Sequence, residues 1–133
     1  MFLNRLNNKE KEMFLDAAVY VSQANGKVND EEKEAIIGYC KEMGVTFYDI
    51  TGLHNYEEVV EFFSKVTKEK KRIVCFELLG LAEVDGEFDE VEESFIEKFS
   101  EDIALPSDVY ESLKRDIEEY TIIYRIICGH VIG

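Results

Sequence analysis

The chain has 133 residues, of which 46% are hydrophobic and 12% are aromatic, so it can build one core and does not have the composition of a disordered protein. It carries 15 Lys and Arg against 29 Asp and Glu, a formal net charge of −14. This charge disfavours nucleic acid and anionic membranes as partners and favours cations or basic protein surfaces. An acidic shell kept only for solubility explains the charge equally well.

The cysteines indicate a reducing compartment. Cys40, Cys75 and Cys128 are odd in number and widely spaced, and no C-x-x-C pair occurs, so we expect free thiols and neither a disulfide framework nor a zinc or redox site. The first residues lack the apolar run of a signal peptide, and no stretch is long and uncharged enough to span a bilayer. A soluble cytoplasmic protein is the resulting expectation.

The first part of the chain predicts two helices, each opened by an asparagine with a glutamate three positions later. Asn7 and Glu10 begin the first helix, and Asn29 and Glu32 begin the second, which Gly44 ends. Apolar residues spaced three and four apart give their inner faces. These are Met13, Phe14, Ala17, Ala18 and Val21 in the first helix and Ala35, Ile36 and Tyr39 in the second.

A third and a fourth helix follow an irregular stretch from 45 to 52. Asn55 with Glu58 opens the third helix, which runs to Lys65, and Thr67 caps the fourth. Residues 73–82 of the fourth helix are apolar nearly all round, which predicts a central, enclosed helix.

The last part of the chain predicts two helices and leaves one question open. Asp89 caps a fifth helix and Ser107 caps a last one. The apolar ending, from Tyr120 to Ile132, is either the final wall of the core or an exposed self-association face. We expect the core wall, because one more helix is needed to close a bundle around the fourth helix.

The second half of the chain repeats the first. Residues 23–32 (QANGKVNDEE) return as residues 83–92 (EVDGEFDEVE), at an offset of 60. Gly26 and Gly86 fit a residue just past a helix end, where the left-handed conformation is nearly free only for glycine. The repeat predicts an all-α, compact bundle of six to seven helices, built from two pseudo-symmetric helix–turn–helix halves. One domain would cover residues 1–133, with repeat units at about 9–44 and 68–102.

The acids of the second turn are the strongest candidate for a binding site. Hard cations take six to eight oxygen ligands from flexible carboxylate and carbonyl groups, so this cluster predicts weak binding of Ca²⁺ or Mg²⁺. The pattern is not an EF-hand, because counting from Asp85 puts glycine at position two and not at position six. The predicted metal ligands are Asp85, Glu87, Asp89 and Glu92.

The first turn is a weaker version of this site. It has Asn25, Lys27 and Asn29 where the second turn has three acids, so any cation site should be unequal between the two copies. Its candidate ligands are Asn25, Asn29 and Glu32. Helix capping alone explains every one of these residues except the surplus of acid.

The turn also resembles that of a known family. A helix that runs into Asp-Gly-x-hydrophobic, with an acid seven places after the Asp, is similar to the TerB-like family, which includes tellurite-resistance proteins and the N-terminal domain of DjlA-type co-chaperones. The pattern maps onto Asp85, Gly86 and Glu92, and onto Gly26 and Glu32 in the first copy, where Asn25 departs from the family's Asp. The resemblance implies a seven-helix bundle, an acidic surface proposed to bind metal, and a part in stress-response assemblies, with no established catalysis.

An enzyme is the least favoured reading. No serine stands in a nucleophile context, no phosphate-cradling glycine loop occurs, and His54 and His130 read as surface or packing residues. Glu77, in the most apolar helix, needs a partner such as Arg72, Lys70 or a tyrosine hydroxyl. Asp16 is a similar case. For both acids we expect a structural hydrogen bond or partial exposure, and not catalysis.

These observations favour a non-enzymatic protein-interaction module of the TerB-like type, whose working surface is the acidic second turn. Its partner would be a protein with a basic surface, and the chain itself a monomer or weak homodimer that binds neither nucleic acid nor membranes. The first alternative is a protein that binds a divalent cation, Ca²⁺ or Mg²⁺, and responds to it. An enzyme of unknown type is the second alternative.

Overall fold

A computed structural model of the chain describes residues 1–26, 28–46, 48–49, 52–83 and 89–133. These residues form six α-helices and one short 3-10 turn, Leu3–Arg5, and no strand occurs among them. The all-α prediction is therefore confirmed. The helices are α1 (Asn8–Gln23), α2 (Asp30–Met43), α3 (Tyr56–Ser64), α4 (Lys68–Ala82), α5 (Glu90–Asp102) and α6 (Ser107–Val131).

Side-chain caps set the helix starts, as the sequence predicts. Asn7 Oδ1 accepts a 2.8 Å hydrogen bond from the Glu10 N–H, and Glu10 Oε1 accepts one of 2.7 Å from the Asn7 N–H. Asn29 and Glu32 form the same reciprocal pair at the start of α2. Such caps contribute on the order of 1 kcal/mol each. The remaining predicted caps that form are Asn55 on α3, Thr67 on α4 and Asp89 on α5.

The predicted cap of α6 is wrong. The helix begins at Ser107 itself, and Pro106 occupies the capping position without a side-chain hydrogen bond. The proline ring fixes φ near the helical value, here −58°, and the Pro106 carbonyl accepts from the Tyr110 N–H at 3.0 Å. The chain therefore turns helical one residue earlier than a serine cap would allow.

The first helix of each half lies at the centre of the bundle. α4 packs against α1, α5, α6 and the 3-10 turn, and α1 packs against α2, α3, α4 and α5. This confirms the prediction that α4 is enclosed. Burial of apolar surface on these two helices is the main stabilising term of the fold. Their fully buried side chains include Phe14, Leu15, Val19, Val21, Leu78, Leu79 and Leu81.

One contact relates the two halves directly. Lys70 Nζ, in the first turn of α4, lies 2.6 Å from Glu10 Oε1, in the first turn of α1. The two residues occupy the same position in each repeat, three residues after the caps Asn7 and Thr67. Contact between equivalent positions is what an approximate two-fold relationship produces.

Gly44 ends its helix as predicted, but the left-handed conformation predicted for Gly26 is wrong. Gly44 ends α2 with φ of 71° and ψ of 25°, in the left-handed region. Gly26 has φ of 118°, a positive value that favours glycine but lies beyond the left-handed well. Gly86 lies outside the described residues.

The end of α6 does not form the last wall of the core, which corrects the expectation for residues 120–132. Tyr110 and Ile117 are buried, but from Tyr120 onward the large apolar side chains are exposed. The reason is length, because a helix of 25 residues spans about 37 Å and α4, on which it packs, only about 22 Å. The first half of α6 closes the bundle, and the second half extends beyond it.

Candidate functional site

The two repeated turns meet each other. Asn25 Nδ2, in the first turn, donates a 2.8 Å hydrogen bond to Asp89 Oδ2, in the second. The other oxygen of Asp89, Oδ1, accepts from the N–H groups of Val91 and Glu92 and so caps α5. The Asn25 bond and these backbone bonds hold the pKa of Asp89 below its ordinary value. This bond ties the first turn to the start of α5, although 64 residues separate the bonded pair.

The glutamates of the two turns point inward. Glu32 and Glu92, at equivalent positions of the repeat, are each only 2% exposed. Glu32 Oε1 accepts a 3.1 Å hydrogen bond from the Asn29 N–H, and Asn29 Oδ1 accepts one from the Glu32 N–H. In the first turn these candidate ligand oxygens therefore serve helix capping.

The predicted cation site is described only in part. Asn25, Asn29, Glu32, Asp89 and Glu92 are placed, whereas Asp85 and Glu87 lie outside the described residues. Across the described parts of the chain, no three His, Cys, Asp or Glu side chains are positioned to hold a metal ion together. The cation site thus stays a prediction that depends on its two remaining members.

Exposed acids surround the junction of the turns. The first turn of α2 carries Asp30 and Glu31, both exposed, and α5 begins with the exposed Glu90. We call these three residues the acidic face. α5 starts directly after Asp89, and α2 starts five residues after Asn25, the bonded partner of Asp89.

Asp16 forms a buried hydrogen-bond centre that the sequence predicts only in outline. Its side chain is 3% exposed. Asp16 Oδ1 accepts a 2.6 Å hydrogen bond from the Tyr48 hydroxyl. Asp16 Oδ2 lies 2.7 Å from His54 Nδ1 and accepts a 3.2 Å hydrogen bond from the backbone N–H of His54. Burial and this contact raise the pKa of Tyr48. The carboxylate thereby ties the segment between α2 and α3 to α1, which is the structural role we expected.

Glu77 also has a structural role, but its partners differ from the predicted ones. Glu77 Oε1 accepts a 2.8 Å bond from the Phe2 N–H and lies 2.9 Å from the amino group of Met1. The suggested partner Lys70 pairs with Glu10 instead. The Tyr39 hydroxyl bonds the carbonyl oxygen of Glu77 and not its carboxylate. The acid thus anchors the N-terminal segment to α4.

The cysteines are free, as predicted, but only Cys75 is fully buried. Burial raises the pKa of its thiol to about 12, which keeps it protonated and unreactive. Cys40 and Cys128 are half-buried. Among the described residues, no helix combines the length and apolar character that crossing a membrane requires.

No family model, curated protein or solved structure matches this chain. The likeness to the TerB-like family therefore rests on the turn residues alone.

Proposed function

We propose that the chain is a non-enzymatic protein-interaction module that binds a partner with a basic surface through the acidic face. The proposal rests on the 2.8 Å bond between Asn25 and Asp89, because this bond joins the first turn to the residue that caps α5. The exposed acids Asp30, Glu31 and Glu90 would then act together on one partner.

The charge of the whole chain strengthens this surface. With a net charge of −14, the chain attracts basic proteins over a distance and repels nucleic acid. Charge complementarity of this kind raises association rates and excludes wrong partners more than it adds affinity. The interaction should accordingly be fast and sensitive to salt.

The acids of the face also have a structural explanation, which the experiment below separates from the functional one. Acidic residues in a first helical turn are favoured by the helix dipole and add about 0.3–1 kcal/mol each. Asp30 and Glu31 satisfy this rule in α2, and Glu90 satisfies it in α5. A purely structural role predicts lost stability on neutralising them and no effect on any partner.

The family and the cellular setting belong to this proposal as well. The turn residues Gly26, Glu32 and Glu92 support a TerB-like module, and with it a role in stress-response assemblies such as those of tellurite resistance. Three unpaired cysteines support a cytoplasmic location.

Capture from a lysate tests the proposal. The immobilised chain should retain a basic protein at low salt and release it at high salt. Neutralising the acidic face (Asp30→Asn, Glu31→Gln, Glu90→Gln) should abolish capture. The matched control (Asp108→Asn, Glu57→Gln, Glu101→Gln) removes the same charge from exposed acids elsewhere and should retain it. Equal loss of capture in both variants would show that capture depends on the total charge of the chain and not on the acidic face, and would contradict the proposal.

The second candidate is a protein that responds to a divalent cation. It is favoured by Asp89, whose carboxylate caps α5 and which follows Asp85 by four residues and Glu87 by two in the sequence. A chelator added during capture separates the two candidates, because only the cation-responsive protein should change its partner binding.

A further inference from the structure

The second half of α6 is an exposed apolar helix. We call residues 120–132 the α6 tail. Its eight large apolar side chains are between 44% and 83% exposed. Ile117, three residues before Tyr120, is only 6% exposed. Isolated exposed apolar residues are common on protein surfaces, but a contiguous patch of this kind marks an interaction site. The eight side chains are Tyr120, Ile122, Ile123, Tyr124, Ile126, Ile127, Val131 and Ile132.

The apolar residues of the tail continue a stripe that is already buried in the first half of the helix. Leu113 and Ile117 pack on the core. At alternating steps of three and four, the same stripe passes through Tyr120, Tyr124, Ile127 and Val131. We call these four residues the seam. A stripe with this alternation is the pattern by which one helix packs along another. In the first half the stripe packs on α4, where Ile117 lies against Gly80, whereas the four seam residues are between 44% and 76% exposed.

The tail is held in place at its base. The Thr121 hydroxyl donates a 3.1 Å bond to Glu83 Oε2 at the end of α4. Arg125 favours the charged form of the same glutamate, whose pKa burial raises. The rings of Tyr120 and Tyr124 stack with their centroids 6.1 Å apart. These contacts orient the seam before any partner arrives, which lowers the entropic cost of binding.

The distribution of charge identifies the partner. The tail contains no Asp or Glu and one cation, Arg125, whereas the remaining residues carry 14 Lys and Arg against 29 Asp and Glu, a formal charge of −15. The net charge outside the tail therefore makes the bodies of two copies repel each other, whereas the two tails carry little charge. An anionic lipid surface, by contrast, would repel the acidic body that the tail must bring with it.

The exposed area is sufficient for a weak dimer. A half-exposed side chain of this size presents roughly 100 Å², so eight of them present on the order of 800 Å² per chain, which is one partner's share of a standard interface. A pair of helices covers only the side of the tail that faces the other copy. The contact therefore lies at the lower end of stable interfaces.

We propose that the α6 tail is a self-association surface, and that two copies of the chain pair along Tyr120, Tyr124, Ile127 and Val131. An antiparallel pairing keeps the two acidic bodies at opposite ends of the contact. This site is distinct from the acidic face, so that one chain can dimerise and still bind a basic partner.

Sedimentation velocity tests the proposal over concentrations from about 5 to about 500 µM, a range that brackets the affinity of a small apolar interface. The wild-type chain should shift from monomer to dimer within this range. Higher salt should strengthen the dimer, because it screens the repulsion between the bodies. Binding of a basic partner at the acidic face should respond to salt in the opposite direction.

Two matched variants locate the contact. Tyr124→Glu with Ile127→Glu places two acids in the seam and should leave a monomer at every concentration. Ile122→Glu with Ile126→Glu adds the same charge on the far side of the helix, since two residues rotate a helix by about 200°, and should keep the dimer. All four side chains are more than 50% exposed, so neither variant disturbs the core.

Three results would overturn the proposal. The first is a wild-type chain that stays monomeric at the highest concentration, and the second is a seam variant that dimerises as well as the wild type. The third is a monomer that binds phosphatidylcholine–phosphatidylserine vesicles, if this binding is lost in the seam variant and kept in the far-side variant. The last result would assign the tail to a lipid surface. Neutralising the acidic face should leave dimerisation intact, so failure here is distinguishable from failure of the proposed function.

Discussion

Ala104 stands 60 residues after Gly44, and the two have nearly the same backbone conformation, with φ of 64° and 71°. The hydrogen bonds around them also match. The Val45 N–H bonds the Cys40 carbonyl at 2.8 Å, and the Leu105 N–H bonds the Ser100 carbonyl at 2.9 Å. Both are the closing bond of the same helix-ending motif. The repeat thus extends through the turn after α5, where alanine occupies a position that favours glycine.

Replacing Ala104 by glycine should stabilise the protein. A residue with a Cβ in the left-handed region costs roughly 1–2 kcal/mol, and glycine removes this cost. Glycine also makes the unfolded chain more flexible, which costs the folded state about 0.5–1 kcal/mol. The net gain should be about 0.5–1 kcal/mol, measured by urea denaturation. The converse change, Gly44→Ala, should destabilise by a similar amount. A loss of stability in Ala104→Gly would show that the φ of 64° is not retained in solution.

Removing the Asp16 carboxylate should be among the most damaging single changes. Asp16→Ala leaves the Tyr48 hydroxyl and the His54 ring without their acceptor inside the protein, and we expect a loss of about 2–4 kcal/mol in the free energy of unfolding. Tyr48→Phe removes one donor only and should cost about 1 kcal/mol. A double-mutant cycle on Asp16 and Tyr48 should show coupling. Additive losses would mean that the hydroxyl does not depend on this carboxylate.

The sequence predicts the features that depend on neighbouring residues. Asn7, Asn29 and Asp89 cap the helices predicted for them, because the capping signal lies within four positions. Features that depend on distant residues could not be predicted in this way. Nothing near Asn25 indicates Asp89 as its partner, and the irregular stretch before α3 gives no periodicity that would place His54 beside Asp16.

The end of α6 illustrates a different limit. Its apolar residues predict burial, but they do not say whether the buried face lies within the chain or between chains.

The contact between the turns predicts a shift in the titration of Asp89. Its pKa is held down first by the Asn25 side chain and then by the backbone N–H groups that it caps. Asn25→Ala should therefore raise the pKa of Asp89 toward its ordinary value, as measured by carboxyl-carbon NMR. A carboxyl group whose pKa is lower in the folded than in the unfolded protein stabilises the fold at pH values above its unfolded pKa, about 3.9 for Asp. This stabilisation is lost as the pH falls through the folded pKa. The wild type should therefore lose more stability on acidification than Asp89→Asn. An unchanged Asp89 pKa in Asn25→Ala would contradict the contact.

The cation hypothesis predicts a small stabilisation by Ca²⁺ or Mg²⁺. Affinity should be weak, on the order of 10⁻⁴ to 10⁻³ M, and at ten times Kd the native state gains about 1.4 kcal/mol, which appears as a thermal shift of a few degrees. Asp85→Asn with Asp89→Asn should abolish the shift and largely keep the helix cap, because asparagine also caps well. A thermal shift that survives this double substitution would show that the cations bind diffusely to the acidic surface and not at this site. Since Asn25 bonds Asp89, a response of Asn25 alone does not indicate a second site.

NMR titration with a hexalysine peptide at low salt tests whether the two turns form one acidic face for a basic partner. We expect the amides at the start of α2, residues 29–34, and at the start of α5, residues 89–93, to shift together with one apparent affinity. The Asp30→Asn, Glu31→Gln, Glu90→Gln variant should lose both sets of shifts at once. Shifts spread over the exposed acids of α3 and α6, or confined to one turn, would contradict the claim.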